Sequence, residues 1–249
     1  MLFSVGYFII FAVFYIYYGI ICKLRVAHYT VENIQMMNDN SFELTLKYSY
    51  GKKIKAKGGQ FIFIQLPFCK IDEYHPFSIL QSLNQDKIIK LGIKKSGDFT
   101  DKLANASKGT TVKVKGIYGH FTAPKDNNPV LAIAGGIGIT PCISLLQSLS
   151  QQRKGYLLWS VSSENDIIFN EEIQTLVQTH PNIKIIYHDT SKHGYLNSKV
   201  LKENINELTT NKPIDCFICG PAPMSKSVIH NLESLGVSDN RILSEGFIF

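Results

Sequence analysis

Residues 130–141 read Val-Leu-Ala-Ile-Ala-Gly-Gly-Ile-Gly-Ile-Thr-Pro, an apolar strand that runs into a glycine-rich turn. Its glycines would let the backbone come close to a pyrophosphate; they are Gly135, Gly136 and Gly138. Thr140 suits a helix N-cap and Pro141 the first helical turn, so the N–H groups of the helix start would face phosphate oxygens. The turn lacks the third glycine of the Rossmann fingerprint and an acid about 20 residues on, so a plain strand-to-helix turn is the alternative.

Downstream of this turn, apolar strands alternate with helical patterns. Strands that are apolar on both faces and separated by helices indicate a parallel sheet covered on two sides. The predicted strands are 130–134, 156–161, 183–187, 216–219 and 241–243, and the predicted helices are 141–151, 170–179, 198–205 and 222–235. We therefore expect residues 128–249 to form an α/β domain of the nucleotide-binding type.

A second turn of the same kind follows the strand Cys216–Cys219, at Gly220-Pro221-Ala222-Pro223-Met224. The carboxyl ends of parallel strands share one edge, so this turn and the glycine loop should face one crevice. The cysteine pair could also be a redox dithiol or half of a zinc site. However, the sequence has no second pair and no histidine at ligand spacing, so no metal site is predicted. Five scattered cysteines do not indicate a disulfide framework.

The preceding half, residues 26–123, shows short alternating runs separated by glycine and polar breakers. This pattern predicts an antiparallel β-barrel. The runs are 29–35, 42–48, 60–66, 77–83, 87–94 and 110–115, and the polar stretch 125–129 reads as a linker. Within the barrel, His75-Pro76-Phe77-Ser78 opens a strand, and Gly97–Leu103 resembles a capped helical turn whose N–H groups could meet a second pyrophosphate. A turn proline and a surface helix are the alternatives.

The chain begins with an apolar segment, Leu2–Ile21, that carries no charged side chain. About 20 such residues suffice for a helix to cross the hydrocarbon layer. Lys23 and Arg25 follow at once, and positive charge stays on the cytoplasmic side. We therefore expect a single-pass membrane anchor at residues 1–22 with cytoplasmic catalytic domains. A cleaved signal peptide is the alternative, but no basic n-region or cleavage site is present.

Composition narrows the functional classes further. The chain has 249 residues, which suits two domains, and 26 basic against 20 acidic residues give a net charge of +6. The positive charge is spread without a dense block, so nucleic acid is not an expected partner. No histidine lies in residues 1–21, so this segment cannot bind haem through imidazole. The aromatic end, Glu245-Gly-Phe-Ile-Phe249, should pack on a core groove or a flat cofactor ring.

Taken in order, these motifs resemble the ferredoxin-reductase-like flavoproteins, in particular the FAD- and NAD(P)-binding domains of the ferric reductase and NADPH oxidase branch. The resemblance covers nearly all of Val26–Phe249. It is carried by His75-Pro-Phe-Ser78, Gly97–Leu103, Gly116-Ile-Tyr-Gly119, Gly135–Pro141, Cys219-Gly-Pro-Ala-Pro-Met224 and Glu245-Gly-Phe247.

The resemblance implies FAD and NAD(P)H as cofactors and three catalytic residues. Ser78 would place its hydroxyl near flavin N5, while Cys219 and Glu245 would border the nicotinamide. Phe247 would stack on the outer flavin face, with Phe249 as the competing ring. The implied cofactor-binding residues are His75, Pro76, Phe77, Ser78, Lys94, Gly97, Thr100, Gly135, Gly136, Gly138, Thr140, Pro141, Cys219, Gly220, Pro221, Met224, Phe247 and Phe249.

The sequence departs from the family pattern at two phosphate sites. Where many relatives have arginine, this chain has His75, so charge at the flavin phosphates would depend on pH or on Lys94 and Lys95. The segment Ser160-Val-Ser-Ser-Glu164 lacks the arginine that commonly binds an NADPH 2′-phosphate. Glu164 and Asp166 would repel that phosphate, which favours NADH, although the two serines keep NADPH open.

The implied activity is that of a membrane-anchored, flavin-dependent NAD(P)H oxidoreductase. It would pass hydride to FAD and then single electrons to haem, quinone or a ferric chelate. One alternative is the flavin subunit of a split ferric reductase or NADPH oxidase-like complex, with haem on another chain. A second alternative is a membrane-tethered nucleotide-sensing or docking module. The expected partners are the membrane, the nicotinamide dinucleotide, and a membrane cytochrome or quinone.

Overall fold

The computed structural model describes residues 11, 13–17, 26–67, 73–83, 87–208 and 213–246. Most of the predicted anchor, residues 1–22, lies outside these ranges, and its described residues are helical with exposed side chains. Within the described ranges, no helix has both the length and the apolar character that crossing a bilayer requires. Phe247 and Phe249, at the predicted aromatic end, also fall outside the described residues.

Six antiparallel strands form a closed barrel in the order β1-β2-β5-β4-β3-β6. Successive side chains of a strand point to opposite faces of the sheet. The positions that face the barrel interior, such as Phe42, Leu44 and Leu46, are fully buried, and burial of these apolar side chains favours closure. The strands are β1 Ala27–Asn38, β2 Ser41–Tyr50, β3 Phe61–Gln65, β4 His75–Leu83, β5 Ile88–Lys94 and β6 Thr111–Tyr118. A short helix, α1 Asp98–Ala104, lies between β5 and β6. The predicted barrel and the predicted helical turn are both confirmed.

The second half is a five-stranded parallel sheet in the order β11-β10-β7-β8-β9. Its central strands β7 and β10 are buried along their whole length. The strands are β7 Val130–Gly135, β8 Gly155–Val161, β9 Ile183–Asp189, β10 Asp215–Gly220 and β11 Ile242–Gly246. The helices are α2 Ile139–Gln147, α3 Asn170–Thr179, α4 Thr190–His193, α5 Ser198–Leu208 and α6 Ala222–Ser234. The α/β prediction is confirmed, but α4 was not predicted, and α2 ends four residues before the predicted Gln151.

A glycine in the barrel sets how closely the two halves pack. A Cβ added to Gly92 of β5 would lie 2.5 Å from the Phe169 ring and 2.6 Å from the Thr140 hydroxyl oxygen. The Thr140 hydroxyl donates a hydrogen bond to the Gly92 carbonyl at 3.4 Å. Phe169 adopts a left-handed backbone conformation with φ 59°, and its side chain is fully buried. Only glycine at position 92 leaves room for both neighbours.

A buried charge cluster also crosses the boundary between the halves. The Lys90 ammonium of β5 lies 3.0 Å from Glu43 of β2 and 3.1 Å from Glu172 of α3. Both glutamates are 5% exposed. Two carboxyls thus face one lysine, and burial together with the neighbouring Glu172 carboxyl raises the pKa of Glu43. The barrel and the α/β half are held together here by one lysine that pairs with two buried carboxylates.

The segment between the halves is fixed by a buried arginine. The Arg153 guanidinium donates to the carbonyls of Pro124 and Asn128 at 2.7 and 2.6 Å. It also contacts the carboxylates of Asp126 and Asp215, both at 3.0 Å. Sequence reasoning did not single out Arg153, because its partners lie 25 to 62 residues away.

The charge cluster predicts a pH-dependent stability. Because the folded pKa of Glu43 lies above its ordinary value of 4.5, its contribution is fully present below that value and is lost as pH rises through the folded pKa. The Glu43→Gln substitution mimics the protonated form. The free energy of unfolding of this variant should therefore gain on that of the wild type as pH rises from about 5 to 8, by up to about 1.4 kcal/mol per pH unit crossed. Urea unfolding at a series of pH values measures this difference.

Glu32→Gln is the matched control. Glu32 pairs with Lys108 at 3.0 Å on the same barrel, and this pairing lowers the pKa of Glu32. The stability that this pair contributes is present above the ordinary Glu32 pKa of 4.5 and is lost as pH falls. The free energy of unfolding of Glu32→Gln should therefore gain on that of the wild type as pH falls, whereas that of Glu43→Gln gains as pH rises. Parallel stability curves for wild type and Glu43→Gln across the range from about pH 5 to 8 would contradict the assignment.

Candidate active site

The predicted flavin strand and the predicted phosphate turn lie against each other. The His75 ring stacks on Phe99 of α1, with centroids 3.8 Å apart and an interplanar angle of 23°. The Phe77 ring also stacks on Phe99, with centroids 6.1 Å apart and an interplanar angle of 23°. The His75 Nε2 atom is 3.2 Å from a carboxylate oxygen of Glu73. This aromatic row fixes the start of β4 relative to the start of α1.

The turn before α1 presents backbone rather than side-chain donors. Gly97 has φ 99°, and no atom lies within 4 Å of a Cβ added there. The Thr100 hydroxyl accepts the Ser96 N–H at 2.7 Å and donates to the Gly97 carbonyl at 2.8 Å. It therefore shapes its own turn, whereas the sequence suggested direct contact with a pyrophosphate. No side chain caps α1, so its first N–H groups are the donors that could meet phosphate oxygens.

The two lysines considered for the flavin phosphates differ. The Lys95 ammonium donates a hydrogen bond to the Asp39 carbonyl at 3.0 Å, so Lys95 is held at the turn between β1 and β2. Lys94, at the end of β5, is exposed. Lys94 is therefore the better placed of the two to meet an anionic group near Gly97.

Ser78 lies on β4 and is 6% exposed. Its hydroxyl is not among the buried side-chain atoms that lack a hydrogen-bond partner in the described part of the chain. With the open backbone at Gly97, this hydroxyl fits a flavin held along β4 and α1.

A continuous path of contacts joins Ser78 to the end of the sheet in the α/β half. Ser78 pairs with Phe61 of β3. The Phe61 ring lies 3.0 Å from the point where a Cβ on Gly119 would stand, and a Glu245 carboxylate oxygen lies 3.1 Å from that point. Glu245 of β11 in turn pairs with Cys219 of β10. The three predicted catalytic residues thus lie along one wall that crosses the domain boundary.

Glu245 is the residue that ties this wall together. Its carboxylate accepts the backbone N–H groups of His120 and Phe121, which follow the last barrel strand. Burial raises the pKa of Glu245, and the two N–H donors act against that rise. The C-terminal strand is therefore anchored to the barrel through a side chain rather than through sheet pairing.

The cysteines of this region are neutral thiols. Burial is the main cause that raises the pKa of Cys219, and the nearby Glu245 carboxylate adds to it. Burial likewise raises the pKa of Cys216 to about 12. The two side chains belong to hydrophobic clusters on opposite faces of the sheet. They therefore cannot act as a vicinal dithiol or share a metal, and Cys219 can pack against a ligand but does not supply a thiolate nucleophile.

The glycines of the loop after β7 have different roles. A Cβ on Gly138 would overlap the Cys219 carbonyl oxygen, and one on Gly135 would stand 2.6 Å from the Met224 sulfur. A Cβ on Gly220 would likewise stand 2.6 Å from the Met224 methyl carbon. These three glycines are required for packing β7 against β10 and α6. Gly136, with φ 53° and no atom within 4 Å, is the one whose backbone faces open space.

The prediction that Thr140 caps the following helix is wrong. The N-cap of α2 is Gly138, and no side chain caps this helix. A 3-10 turn at Gly136–Gly138 carries the chain into the helix earlier than the sequence pattern suggested. Thr140 is 1% exposed and bonded to Gly92, and Pro141 is buried beside it. Both residues hold the loop in place, and Pro221 does the same by packing near Gly135.

A cleft of about 580 Å³ lies at the carboxyl ends of β8 and β9. The Lys192 ammonium crosses it, 2.6 Å from Glu164 and 3.4 Å from Asp189. Asp166, predicted to act with Glu164, instead accepts the Ser163 N–H and hydroxyl at 3.1 and 3.3 Å. The lining residues are Val161, Glu164, Ile167, Asn170, Tyr187, Asp189, Lys192 and His193. Sequence reasoning missed Tyr187, Asp189 and Lys192, although the shared edge of parallel strands could have pointed to the end of β9.

Two family models match this chain. Residues 26–136 match an FAD-binding domain, and residues 132–230 match an oxidoreductase NAD-binding domain. The cofactors are therefore FAD and a nicotinamide dinucleotide. Ser78 and the open backbone at Gly97 lie in the first range, and the open backbone at Gly136 lies in the second.

Individual relatives match over most of this chain. The chain is 22% identical over 241 residues to the toluate 1,2-dioxygenase electron transfer component of Pseudomonas putida, covering 91% of this chain and 70% of that protein. It is 24% identical over 200 residues to NADH-cytochrome b5 reductase 1 of Dictyostelium discoideum, covering 75% and 69%. The FAD- and heme-bound flavohemoglobin of Malassezia yamatoensis has a similar fold, with a TM-score of 0.76 at 19% identity over 90% of this chain and 60% of that one.

The division among the glycines predicts separable effects. Gly136→Ala adds a methyl group to open space, so the protein should fold with a loss of about 1 kcal/mol from the left-handed backbone. The methyl would stand where the dinucleotide approaches, and we expect the Kd for NAD⁺ to rise about tenfold or more with FAD content unchanged. Titration of flavin absorbance and thermal unfolding measure the two effects.

Gly109→Ala is the control, because Gly109 has φ 88° and also faces open space, but in a barrel turn. It should carry the same backbone cost and leave NAD⁺ binding unchanged. Equal NAD⁺ affinity in both variants would show that the dinucleotide does not approach Gly136.

Proposed function

Because the chain belongs to the ferredoxin-NADP reductase-like family of FAD- and NAD-dependent oxidoreductases, we propose that it oxidises a nicotinamide dinucleotide and delivers single electrons to an acceptor at a membrane. The observation that carries the proposal is the wall from Ser78 through Phe61, Gly119 and Glu245 to Cys219. It brings the FAD-binding barrel and the NAD-binding sheet edge to one place. Two rings held against such a wall can stack at the distance that hydride transfer needs.

The contribution of the chain itself is positional. FAD, when bound, supplies the conversion of a hydride into two single electrons. Ser78 offers a hydroxyl from a largely buried position on β4. Cys219 presents a neutral thiol, and Glu245 is held by two N–H groups. None of these residues needs to act as a nucleophile, which suits a reaction that depends on alignment and exclusion of water.

The function is tested with the purified full chain and a Ser78→Ala variant. We expect the wild type to bind FAD and to show flavin bleaching on mixing with NADH. Loss of the Ser78 hydroxyl should slow flavin reduction about tenfold or more without loss of FAD, because one preorganised donor is removed. Stopped-flow absorbance measures the rate. Ser144→Ala is the control, since Ser144 of α2 is 7% exposed and is not part of the wall. A colourless protein that cannot be loaded with FAD would contradict the proposed function.

We assign the acceptor side to a membrane on the basis of the sequence. Leu2–Ile21 carries no charge, and Lys23 and Arg25 follow it. A single-pass anchor of this kind would hold FAD near one-electron acceptors such as haem, quinone or a ferric chelate, as in the ferric reductase and NADPH oxidase branch. Since residues 1–21 contain no histidine, this segment itself would not bind haem through imidazole. A screen of these three acceptors with the reconstituted full chain distinguishes them.

The geometry of the sheet edge also favours NADH as donor. Gly136 follows β7, and Cys219 and Glu245 lie on β10 and β11. With the nicotinamide toward β10, the adenosine half lies on the other side of β7, toward the cleft at β8 and β9. There Lys192 is already paired with Glu164 and Asp189. A 2′-phosphate would meet two carboxylates and one neutralised lysine.

The kcat/KM for flavin reduction should therefore be about tenfold or more higher with NADH than with NADPH. Glu164→Gln removes one carboxylate and leaves Lys192 paired with Asp189 alone, so the preference should fall at least about threefold. Glu171→Gln removes another exposed carboxylate, in the first turn of α3, and should leave the ratio unchanged. Equal use of both nucleotides by the wild type would contradict the placement of the adenosine half.

A further inference from the structure

We propose that the barrel docks onto an anionic membrane surface through the face at which the chain enters it. This entry face consists of Tyr50, Lys52, Lys113 and Lys115, which are all exposed. The proposal rests on the proposed membrane anchor. It goes beyond the anchor, because it states which side of the folded domains lies against the lipid.

Charge is distributed unequally between the two halves. Residues 26–124 contain 14 lysines against 8 carboxylates, whereas residues 125–249 contain 10 basic against 12 acidic residues. Within the barrel, residues 44–71 carry six lysines and no aspartate or glutamate. The excess positive charge thus belongs to the barrel, and an anionic surface would attract that half in preference to the other.

The entry face surrounds the point where the described chain joins the barrel. A Cβ on Gly51 would overlap the Val26 carbonyl oxygen, so Tyr50 and Lys52 flank that point. The Tyr50 ring, 55% exposed, stacks on His28 at 4.2 Å with an interplanar angle of 11°. On the other side, Lys113 pairs with His28 in the β1–β6 register. The same register brings Lys115 level with Val26.

The entry face also lies near the flavin strand. Lys115 of β6 pairs with Phe63 of β3, and Phe63 pairs with Pro76 of β4. The Lys115 ammonium lies 3.7 Å from the centroid of the Tyr74 ring, just before β4. Val26, Lys115 and Pro76 are therefore at one level of the barrel, and the three strand spacings from β1 to β4 span about 15 Å. Pro76 is exposed. Docking through the entry face would bring the start of the flavin strand close to the membrane surface.

Anionic lipid fits this face better than an acidic protein does. The face continues from an uncharged segment of 20 residues, Leu2–Ile21, and from Lys23 and Arg25. Lysines beside a membrane anchor are attracted to anionic headgroups, and tyrosine is enriched at the interface. Because the anchor confines the barrel near the lipid, even weak contacts would be populated.

The test uses lysine acetylation of the full chain in nanodiscs of phosphatidylcholine, with or without about 30% phosphatidylserine. Mass spectrometry measures the labelling rate at each lysine. We expect Lys52, Lys113 and Lys115 to react at least about threefold more slowly in the anionic discs, and this protection to vanish at about 0.5 M NaCl. Lys199 and Lys226, exposed on α5 and α6, should react at one rate in both discs.

A variant with Lys52→Gln, Lys113→Gln and Lys115→Gln tests the effect of the charges. Labelling of Lys47 and Lys55, which are exposed on the same half, should become independent of phosphatidylserine in this variant. A control with Lys199→Gln, Lys202→Gln and Lys226→Gln carries the same change in net charge and should keep the protection. Equal rates for the entry-face lysines in both discs would overturn the proposal. So would protection by poly-glutamate but not by anionic discs, which would assign the face to an acidic protein.

Separate readouts distinguish failure of this proposal from failure of the proposed function. Reduction of flavin by NADH in detergent tests the oxidoreductase activity without lipid. Flotation of the chain with pure phosphatidylcholine vesicles tests the anchor without anionic charge. Failure of the flavin assay would contradict the proposed function, and failure of flotation would contradict the anchor. A chain that passes both assays but shows no protection would contradict only the docking proposal.

Discussion

The site depends on the close contact between Gly92 of the barrel and the start of helix α2. The Thr140 hydroxyl and the Phe169 ring occupy the space that any side chain at position 92 would need. Since Thr140 is the second residue of α2, this contact fixes where the helix begins relative to the barrel. The glycine loop at 136–138 directly precedes that helix, so its position relative to the flavin strand is set by packing and not by a flexible linker.

Given this frame, the site works by placement. The loop glycines Gly135 and Gly138 allow β7 to approach β10, and Glu245 then ties β11 to the end of the barrel. Each contact is short range, yet together they bring Ser78 and Cys219 to one wall. Thiols that stay neutral and a carboxylate held by backbone donors are suited to orienting a ligand. An oxidoreductase whose cofactors perform the chemistry needs no more from its side chains.

Patterns with a short period were readable from the sequence. Alternation predicted the barrel strands, and apolar strands between helices predicted the parallel sheet, because burial of one or two faces dictates both patterns. Contacts between distant residues were not readable. Threonine is a residue type that favours N-cap positions, but the Thr140 hydroxyl donates a hydrogen bond to the carbonyl of Gly92, 48 residues away. Lys192 lies 28 residues from Glu164, and Arg153 lies 62 residues from Asp215. Such pairings follow from the tertiary fold, which no local pattern specifies.

The charge distribution supports a division of labour between the halves. A nicotinamide dinucleotide is anionic, yet the half that binds it has more carboxylates than basic residues. Under the proposed function, its phosphates are met by local dipoles, for which the open backbone at Gly136 and the start of α2 are the candidates. Long-range attraction toward negative charge comes instead from the barrel lysines. Lys95 is tied to the Asp39 carbonyl and Lys90 to buried glutamates, whereas the lysines around Val26 are exposed and can meet a large anionic surface.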